Sequence, residues 1–204
     1  ITENLLNRGY RVYGLSRSTP NTNNKNFIFI ECDLYDSESI EKTLNQIEED
    51  SIDVLVCNAG LGFEQSTANL SIESYKSVYN LNVLAPMLIV KCLREKISNA
   101  FIVNISSVSD RIVEANWSLY CSSKAANTRY FEAVAHEFVN ARVFNILPTY
   151  VDTPLLREIH KDDAFDFTPV LKAEDIAGLS EKLETGELDI PSGSNVMIVN
   201  SSTI

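Results

Sequence analysis

Residues 101–124 read FIVNISSVSDRIVEANWSLYCSSK. Phe101 to Ile105 are almost wholly apolar and rich in branched side chains, which predicts a short strand. The polar pair Ser106-Ser107 follows, and a helix is predicted over Leu119 to Phe138. A strand that opens into a polar turn and then a helix is the start of a βαβ unit. The same alternation recurs outward along the chain. Downstream, Arg142 to Leu147 reads as a strand, Thr153-Pro154 as a helix start, Ala173 to Leu183 as a helix and Val196 to Val199 as a strand. Upstream, strands are predicted at Val54 to Cys57, Phe27 to Glu31 and Tyr10 to Leu15. Between them lie a helix over Ile40 to Ile47, capped from Asp33 to Ser37, and a long helix capped by Ser71. That long helix carries Val78, Leu81, Leu84, Leu88 and Cys92 as its apolar stripe. Ile1 to Arg8 reads as the end of a helix, stopped at Gly9.

The strands are apolar on both faces, as expected where helices cover both sides of a parallel sheet. The fold class is therefore α/β: a Rossmann-like, doubly wound parallel sheet in three layers, α/β/α. At 204 residues and 45% hydrophobic, the chain suits a single domain over residues 1–204 with a real core. No repeat or linker divides it, and residues 21–26 (NTNNKN) form only a surface turn.

Charge and cysteine usage narrow the function. Seventeen basic against 28 acidic residues give a formal charge of −11, with no basic run. That excludes sequence-independent nucleic-acid binding and attraction to an anionic membrane surface. No apolar stretch has the length of a membrane span. Cys32, Cys57, Cys92 and Cys121 are scattered and suit reduced thiols in a cytoplasmic protein. His136 and His160 stand apart from acidic or thiol neighbours at ligand spacing, which reads as two solvated histidines and no metal site.

Ligands of doubly wound sheets bind beyond the carboxyl ends of the strands. Four predicted strand ends carry polar clusters there: Ser16-Arg17, Asn58-Ala59-Gly60, Ser106-Ser107 and Pro148-Thr149-Tyr150. On the following helix, Tyr120 and Lys124 are spaced i, i+4 and share one face. An ammonium beside a phenol favours phenolate and fits the tyrosine for proton exchange. Ser107 is placed to hydrogen-bond a substrate oxygen. Glu64 and Gln65 read as a solvated loop, Trp117 as a candidate pocket wall, and Lys161-Asp162-Asp163 as part of a small lid between Thr153 and Lys172.

With these residues in order, the chain resembles the short-chain dehydrogenase/reductase family. Tyr120-Cys121-Ser122-Ser123-Lys124 resembles its YxxxK motif, Asn104-Ile105-Ser106-Ser107-Val108 its serine segment and Asn58-Ala59-Gly60 its NAG motif. Asn82, in Asn82-Val83-Leu84-Ala85-Pro86, falls where the family has a helix asparagine. Residues 148–153 (PTYVDT) resemble its PGxVxT segment with Thr149 in place of glycine, and Asp33 matches its usual aspartate. The resemblance implies a nicotinamide-dependent oxidoreductase that interconverts a small carbonyl compound and a secondary alcohol. Tyr120 would be the general acid or base, and Lys124 would lower its pKa and hold the nicotinamide ribose. Ser107 would polarise the substrate oxygen, and Asn82 would position a water leading to Lys124. Asn58, Ala59, Gly60, Pro148, Val151 and Thr153 would contact the cofactor with Tyr120 and Lys124. In the family, the small-residue helix of residues 121–126 and the Asn82 helix form a subunit interface, which implies a homodimer or homotetramer.

After the strand ending at Leu15 stands Ser16-Arg17-Ser18, without a carboxylate. A guanidinium suits a ribose 2′-phosphate, so the cofactor expected is NADP rather than NAD, held there by Ser16 and Arg17, while Asp33 would contact the cofactor as the resemblance implies. The family's opening strand and glycine-rich TGxxxGxG turn have no counterpart here. Seven glycines in 204 residues are about half the usual share, and the chain begins at Ile1 inside a helix. The sequence reads as an N-terminally incomplete reductase, in which the strands at Tyr10 and Val54 lose a shared neighbour. The alternative is a non-catalytic relative, a structural or assembly subunit that binds no dinucleotide.

Overall fold

The computed structural model describes residues 1–162, 164–168 and 170–199. Asp163 of the predicted lid therefore lies outside the described residues. In chain order the elements are α1 (Thr2–Asn7), β1 (Val12–Ser16), β2 (Phe27–Glu31), α2 (Ser37–Leu44), β3 (Val54–Cys57), α3 (Ile72–Tyr79), α4 (Ala85–Leu93), β4 (Phe101–Ile105), α5 (Ser118–Glu137), β5 (Arg142–Pro148), α6 (Pro154–Ile159), α7 (Ala173–Thr185) and β6 (Asn195–Ile198).

Every described strand pair is parallel. Period-two alternation sends successive residues of β4 and β5 into opposite layers. Ile102 and Val143 enter a core with Val90 and Leu93 of α4 and Phe131 and Val134 of α5. Phe101, Val103, Phe144 and Ile146 enter a second core with Ile176 and Leu183 of α7. Each such side chain, fully removed from water, stabilises the fold by about 1.5–3 kcal/mol. On that second face α1 lies beside α7, tied by Asn4 Nδ2 donating to Glu181 at 2.7 Å.

The strands form two groups, β1-β2 and β3-β4-β5-β6. The break falls between the two strands that the sequence leaves without a shared neighbour. There the facing edges of β1 and β3 border a cleft of about 1040 Å³, closed by Leu5 of α1 and by Pro86 and Ile89 of α4.

Two sequence expectations need correction. The long helix after Ser71 is not one regular α-helix: Asn80–Leu84 forms a π turn between α3 and α4. This extra residue per turn rotates the apolar stripe, so Leu84 is 43% exposed and Cys92 also faces outward. His160 is not a solvated histidine: its ring stacks on Phe165 at 4.0 Å and packs beside Tyr150.

Candidate active site

The carboxyl end of β4 and the first turns of α5 converge. Tyr120 and Lys124, one helical turn apart, both face the end of β4. Lys124 Nζ donates to the Ile105 carbonyl at 3.1 Å and stands 5.7 Å from the Tyr120 ring centre. An ammonium has three donors, so two are left for a ligand among the described contacts. The Ser107 side chain stands beside the Tyr120 phenol and draws its titration downward, and its hydroxyl accepts from the Ser109 amide at 3.1 Å. Ser106 instead turns inward, its hydroxyl 2.6 Å from that of Thr128.

The turn after β3 is laid directly on this pair. A methyl group at Gly60 would stand 3.5 Å from Lys124 Nζ and 3.6 Å from Asn82 Oδ1. One at Gly62 would stand only 2.7 Å from the Tyr120 ring, so the backbone here serves as the floor under the phenol. Asn82 holds the turn. Its Oδ1 accepts from the Leu61 amide and its Nδ2 donates to the Leu61 carbonyl, both at 2.8 Å, while Nδ2 also donates to Ser123 Oγ at 2.9 Å. The Asn82 side chain is therefore committed to the Leu61 backbone and Ser123.

Behind this lies a chain of buried amides. Asn104, Asn145 and Asn195 are in register on β4, β5 and β6. Asn104 donates to Asn127 and, at 2.8 Å, to Asn145; Asn145 donates to Asn195 at 2.9 Å. Asn127 in turn donates to the Asn82 carbonyl at 2.8 Å. Such groups carry a cost of about 1–3 kcal/mol each if left unpaired in the interior.

Burial, more than pairing, sets the protonation of the two reactive groups. Desolvation holds the Lys124 ammonium down to about 8. It also pushes the Tyr120 phenol above its ordinary value, against the pull of Ser107. Sequence spacing predicts a lowered phenol; in the folded chain the low-dielectric surroundings raise it and outweigh the opposing effect of Ser107.

A cleft of about 600 Å³ opens above these groups. Asn58, Gly60, Ser107, Tyr120, Lys124, Pro148, Val151 and Thr153 all line it, as does Trp117, whose ring meets Tyr120 edge-on at 5.6 Å. Thr153, Leu155, Leu156 and Ile159 at α6, followed by Phe165, Asp166 and Val170, line its upper side, with α6 capped by Thr153 Oγ1. The base of this segment is closed by hydrogen bonds between Tyr150, Asp152 and Leu171. Asn58 and Lys124 also line the β1–β3 cleft, together with Ser16 and Ala59. The two clefts thus share Asn58, Ile105 and Lys124. Arg17 and Asp33 stand beyond both at the ends of β1 and β2: the Arg17 guanidinium lies 5.5 Å over the Tyr35 ring, and Asp33 accepts from the Tyr35 amide. Glu64 and Gln65 brace the Asn116 loop, through Glu64 accepting from Asn116 Nδ2 and the Gln65 amide donating to Asn116 O.

Sequence reasoning passes over Gly62, Ser123 and Glu114. Ser123 lies inside the Tyr120–Lys124 motif, where a small polar residue was the available signal. Gly62 and Glu114, the latter accepting from the Tyr150 hydroxyl at 3.3 Å, carry no local signal at all.

Comparison with known proteins identifies the family and the fold. The chain is 26% identical over 187 residues to the 3-oxoacyl-[acyl-carrier-protein] reductase MabA of Mycobacterium tuberculosis, covering 85% of this chain and 76% of that protein. The crystal structure of a short chain dehydrogenase family protein from Francisella tularensis superposes with a TM-score of 0.87 at 25% identity, over 97% of this chain and 89% of that one. A 4-hydroxyisoleucine dehydrogenase complexed with NADH gives a TM-score of 0.86 at 25% identity, over 99% and 92%. The family model described as short chain dehydrogenase matches residues 1–164, and the chain belongs to the short-chain dehydrogenase/reductase family of oxidoreductases.

Proposed function

We propose that this chain is an NADP(H)-dependent oxidoreductase that interconverts a carbonyl compound and a secondary alcohol, with Tyr120 as the general acid/base. The observation that carries this reading is the convergence of Ser107, Tyr120 and Lys124 on the floor of one cleft. The residues fit a nicotinamide dinucleotide: Lys124 has donors to spare where the two clefts meet, beside the close-packed Asn58–Gly60 turn. Lys124, Asn58, Ala59 and Gly60, with Pro148, Val151 and Thr153, would hold its nicotinamide half; Ser16, Arg17 and Asp33 would hold the adenosine half. When bound, the dinucleotide supplies or takes up the hydride.

In reduction, Ser107 orients the substrate oxygen and Tyr120 donates a proton to it as the carbonyl carbon gains hydride. The raised phenol suits a proton donor, and the Lys124 charge stabilises the phenolate left behind. Asn82 acts as a positioning residue, through Leu61 and Ser123. The Arg17 guanidinium, held over Tyr35, supports a preference for NADP through a charge-assisted fork to the 2′-phosphate.

Residues 1–204 form one dinucleotide-binding domain on this reading. The exposed row Ile72, Tyr75, Tyr79 and Leu84 beside α5 suits a homodimer or homotetramer. Four free thiols, three of them buried, suit the cytoplasm. Among the described residues no helix is long and apolar enough to cross a membrane.

The test is titration of the full natural chain with NADPH and NADH, followed by ketone reduction at saturating cofactor. Tighter binding of NADPH with ketone-dependent oxidation is expected. A preference for NADH would remove the Arg17 assignment, and binding of neither would favour the structural-subunit reading.

A further inference from the structure

The substrate cleft has a composition that its proton-transfer residues do not require. Its walls are apolar, with Val108, Ile112, Leu155, Ile159 and Val170 facing the space above Tyr120. Two aromatic rings, Tyr150 and Phe165, meet edge-on at 5.2 Å beside it. The charged groups are unbalanced. Glu114 and Asp166 line the cleft, whereas Lys124 is the one cation lining it among the described residues, and it is buried at the floor. The lid's cations among the described residues are neutralised: the Arg157 guanidinium gives two hydrogen bonds to the Asp152 carboxylate, at 2.6 and 2.7 Å, and Lys161 gives one to Glu158 at 2.7 Å.

Glu114 accepts from the Tyr150 hydroxyl at 3.3 Å, and Glu64 acts on the same phenol, so negative charge gathers on the side where Tyr150 and Phe165 turn toward the opening. A carboxylate beside aromatic rings is a setting for a substituted ammonium, through charge and through the negative faces of the rings. The same setting repels a carboxylate or phosphate ester. Volume fits this too: the cleft of about 600 Å³ would be shared with the nicotinamide end of the cofactor, which leaves room for one small ring-bearing molecule.

Resting on the oxidoreductase reading above, we propose that the cleft selects cyclic or aryl ketones that carry a positive charge, or the matching alcohols, and that Glu114 determines this preference. The carbonyl lies at Ser107 and Tyr120, and the charged end lies toward Glu114 and Tyr150.

Three ring ketones of similar size test it on the full natural chain: N,N-dimethyl-4-oxopiperidinium, 4,4-dimethylcyclohexanone and 4-oxocyclohexane-1-carboxylate. The expected kcat/KM falls in that order, by about three- to tenfold per step. The spread shrinks as salt is raised, because a charge at an open mouth is screened. Glu114→Gln, checked for unchanged melting temperature, brings the cation close to the neutral ketone. Glu114→Lys makes the anion the better substrate of the two charged ones. A carboxylate turned over as well as the cation by the natural chain overturns the proposal, as does an order that Glu114→Gln and Glu114→Lys both leave unchanged. In either case turnover of the neutral ketone leaves the oxidoreductase reading standing. Turnover of none of the three overturns the proposal, and NADPH bound in the same sample then leaves the oxidoreductase reading standing, whereas absent binding overturns both.

Discussion

On the Tyr120 side of the molecule, polar groups are tied to one another: Asn82 to Leu61 and Ser123, Asn127 to Asn82, and Asn104 to Asn127 and Asn145. At the carboxyl ends of β1 and β2, by contrast, the residues assigned to the cofactor's adenosine half, Arg17 and Asp33, are exposed. The first region is preorganised, since its reactive groups are held by contacts internal to the chain. The second offers groups that make their main contacts with a ligand. Substitutions in the first should therefore strike chemistry, and stability as well where they cut an internal hydrogen bond, while substitutions in the second should change which ligand binds and leave the fold intact.

The largest effect expected belongs to the first region. Tyr120→Phe keeps the ring over Gly62 and against Trp117 but removes the proton. We expect kcat to fall by about 10³-fold or more, with the melting temperature within a few degrees of the natural chain. Near-natural turnover would place the proton donor elsewhere and dissolve the contrast between the regions.

Lys124 ranks next, and its effect is a matter of pH. The folded state holds its ammonium down to about 8, against 10.5 in the unfolded chain. Between those values the unfolded chain binds the extra proton, so this group's destabilisation is full below pH 8 and fades as pH rises to 10.5. Lys124→Met removes that penalty, of about 3 kcal/mol, and leaves the Ile105 carbonyl without its donor, at about 1–3 kcal/mol. Denaturant unfolding of both proteins should show the variant gaining relative stability at pH 7 and losing it toward pH 10.5. Its reductase activity should fall at every pH. A stability difference that does not change with pH would mean that Lys124 is not desolvated as described.

The amide chain gives a smaller loss. Asn104→Ala strips a donor from both Asn127 and Asn145, and about 2–3 kcal/mol of stability should go with it, read as a lower urea midpoint. Because Asn127 holds the Asn82 carbonyl, kcat should also fall, which a change confined to the core would not produce.

The unequal legibility of the two regions has a physical basis. Strands β2, β3 and β4 fall on the residues that apolar runs predict, because a buried parallel strand needs little beyond a run of Val, Ile, Leu or Phe. Tyr120, Lys124 and Ser107 were legible because four-residue spacing on a helix and a strand end fix their relative positions. The π turn at Asn80–Leu84 was not, since a single extra residue in a turn leaves no mark on a stripe read at 3.6-residue spacing. Nor was the raised phenol of Tyr120, which depends on burial by Gly62 and Trp117 from distant parts of the chain. His160 stacked on Phe165 was hidden for the same reason.

The smallest effect lies in the second region and tests the comparison from its other side. Arg17 is exposed, it rests on the Tyr35 ring, and no ion pair among the described residues engages it. Arg17→Ala should leave the melting temperature and the NADH-driven rate unchanged. It should lower the preference for NADPH over NADH by about tenfold, the loss expected for a charge-assisted contact at a hydrated surface. Added salt should shrink that preference in the natural chain and leave the variant nearly indifferent, because only the guanidinium–phosphate pair is open to screening. If Arg17→Ala instead unfolds the protein or stops turnover with both dinucleotides, the β1 end is part of the preorganised machinery. The division between a self-contained catalytic region and a ligand-completed one would then be drawn in the wrong place.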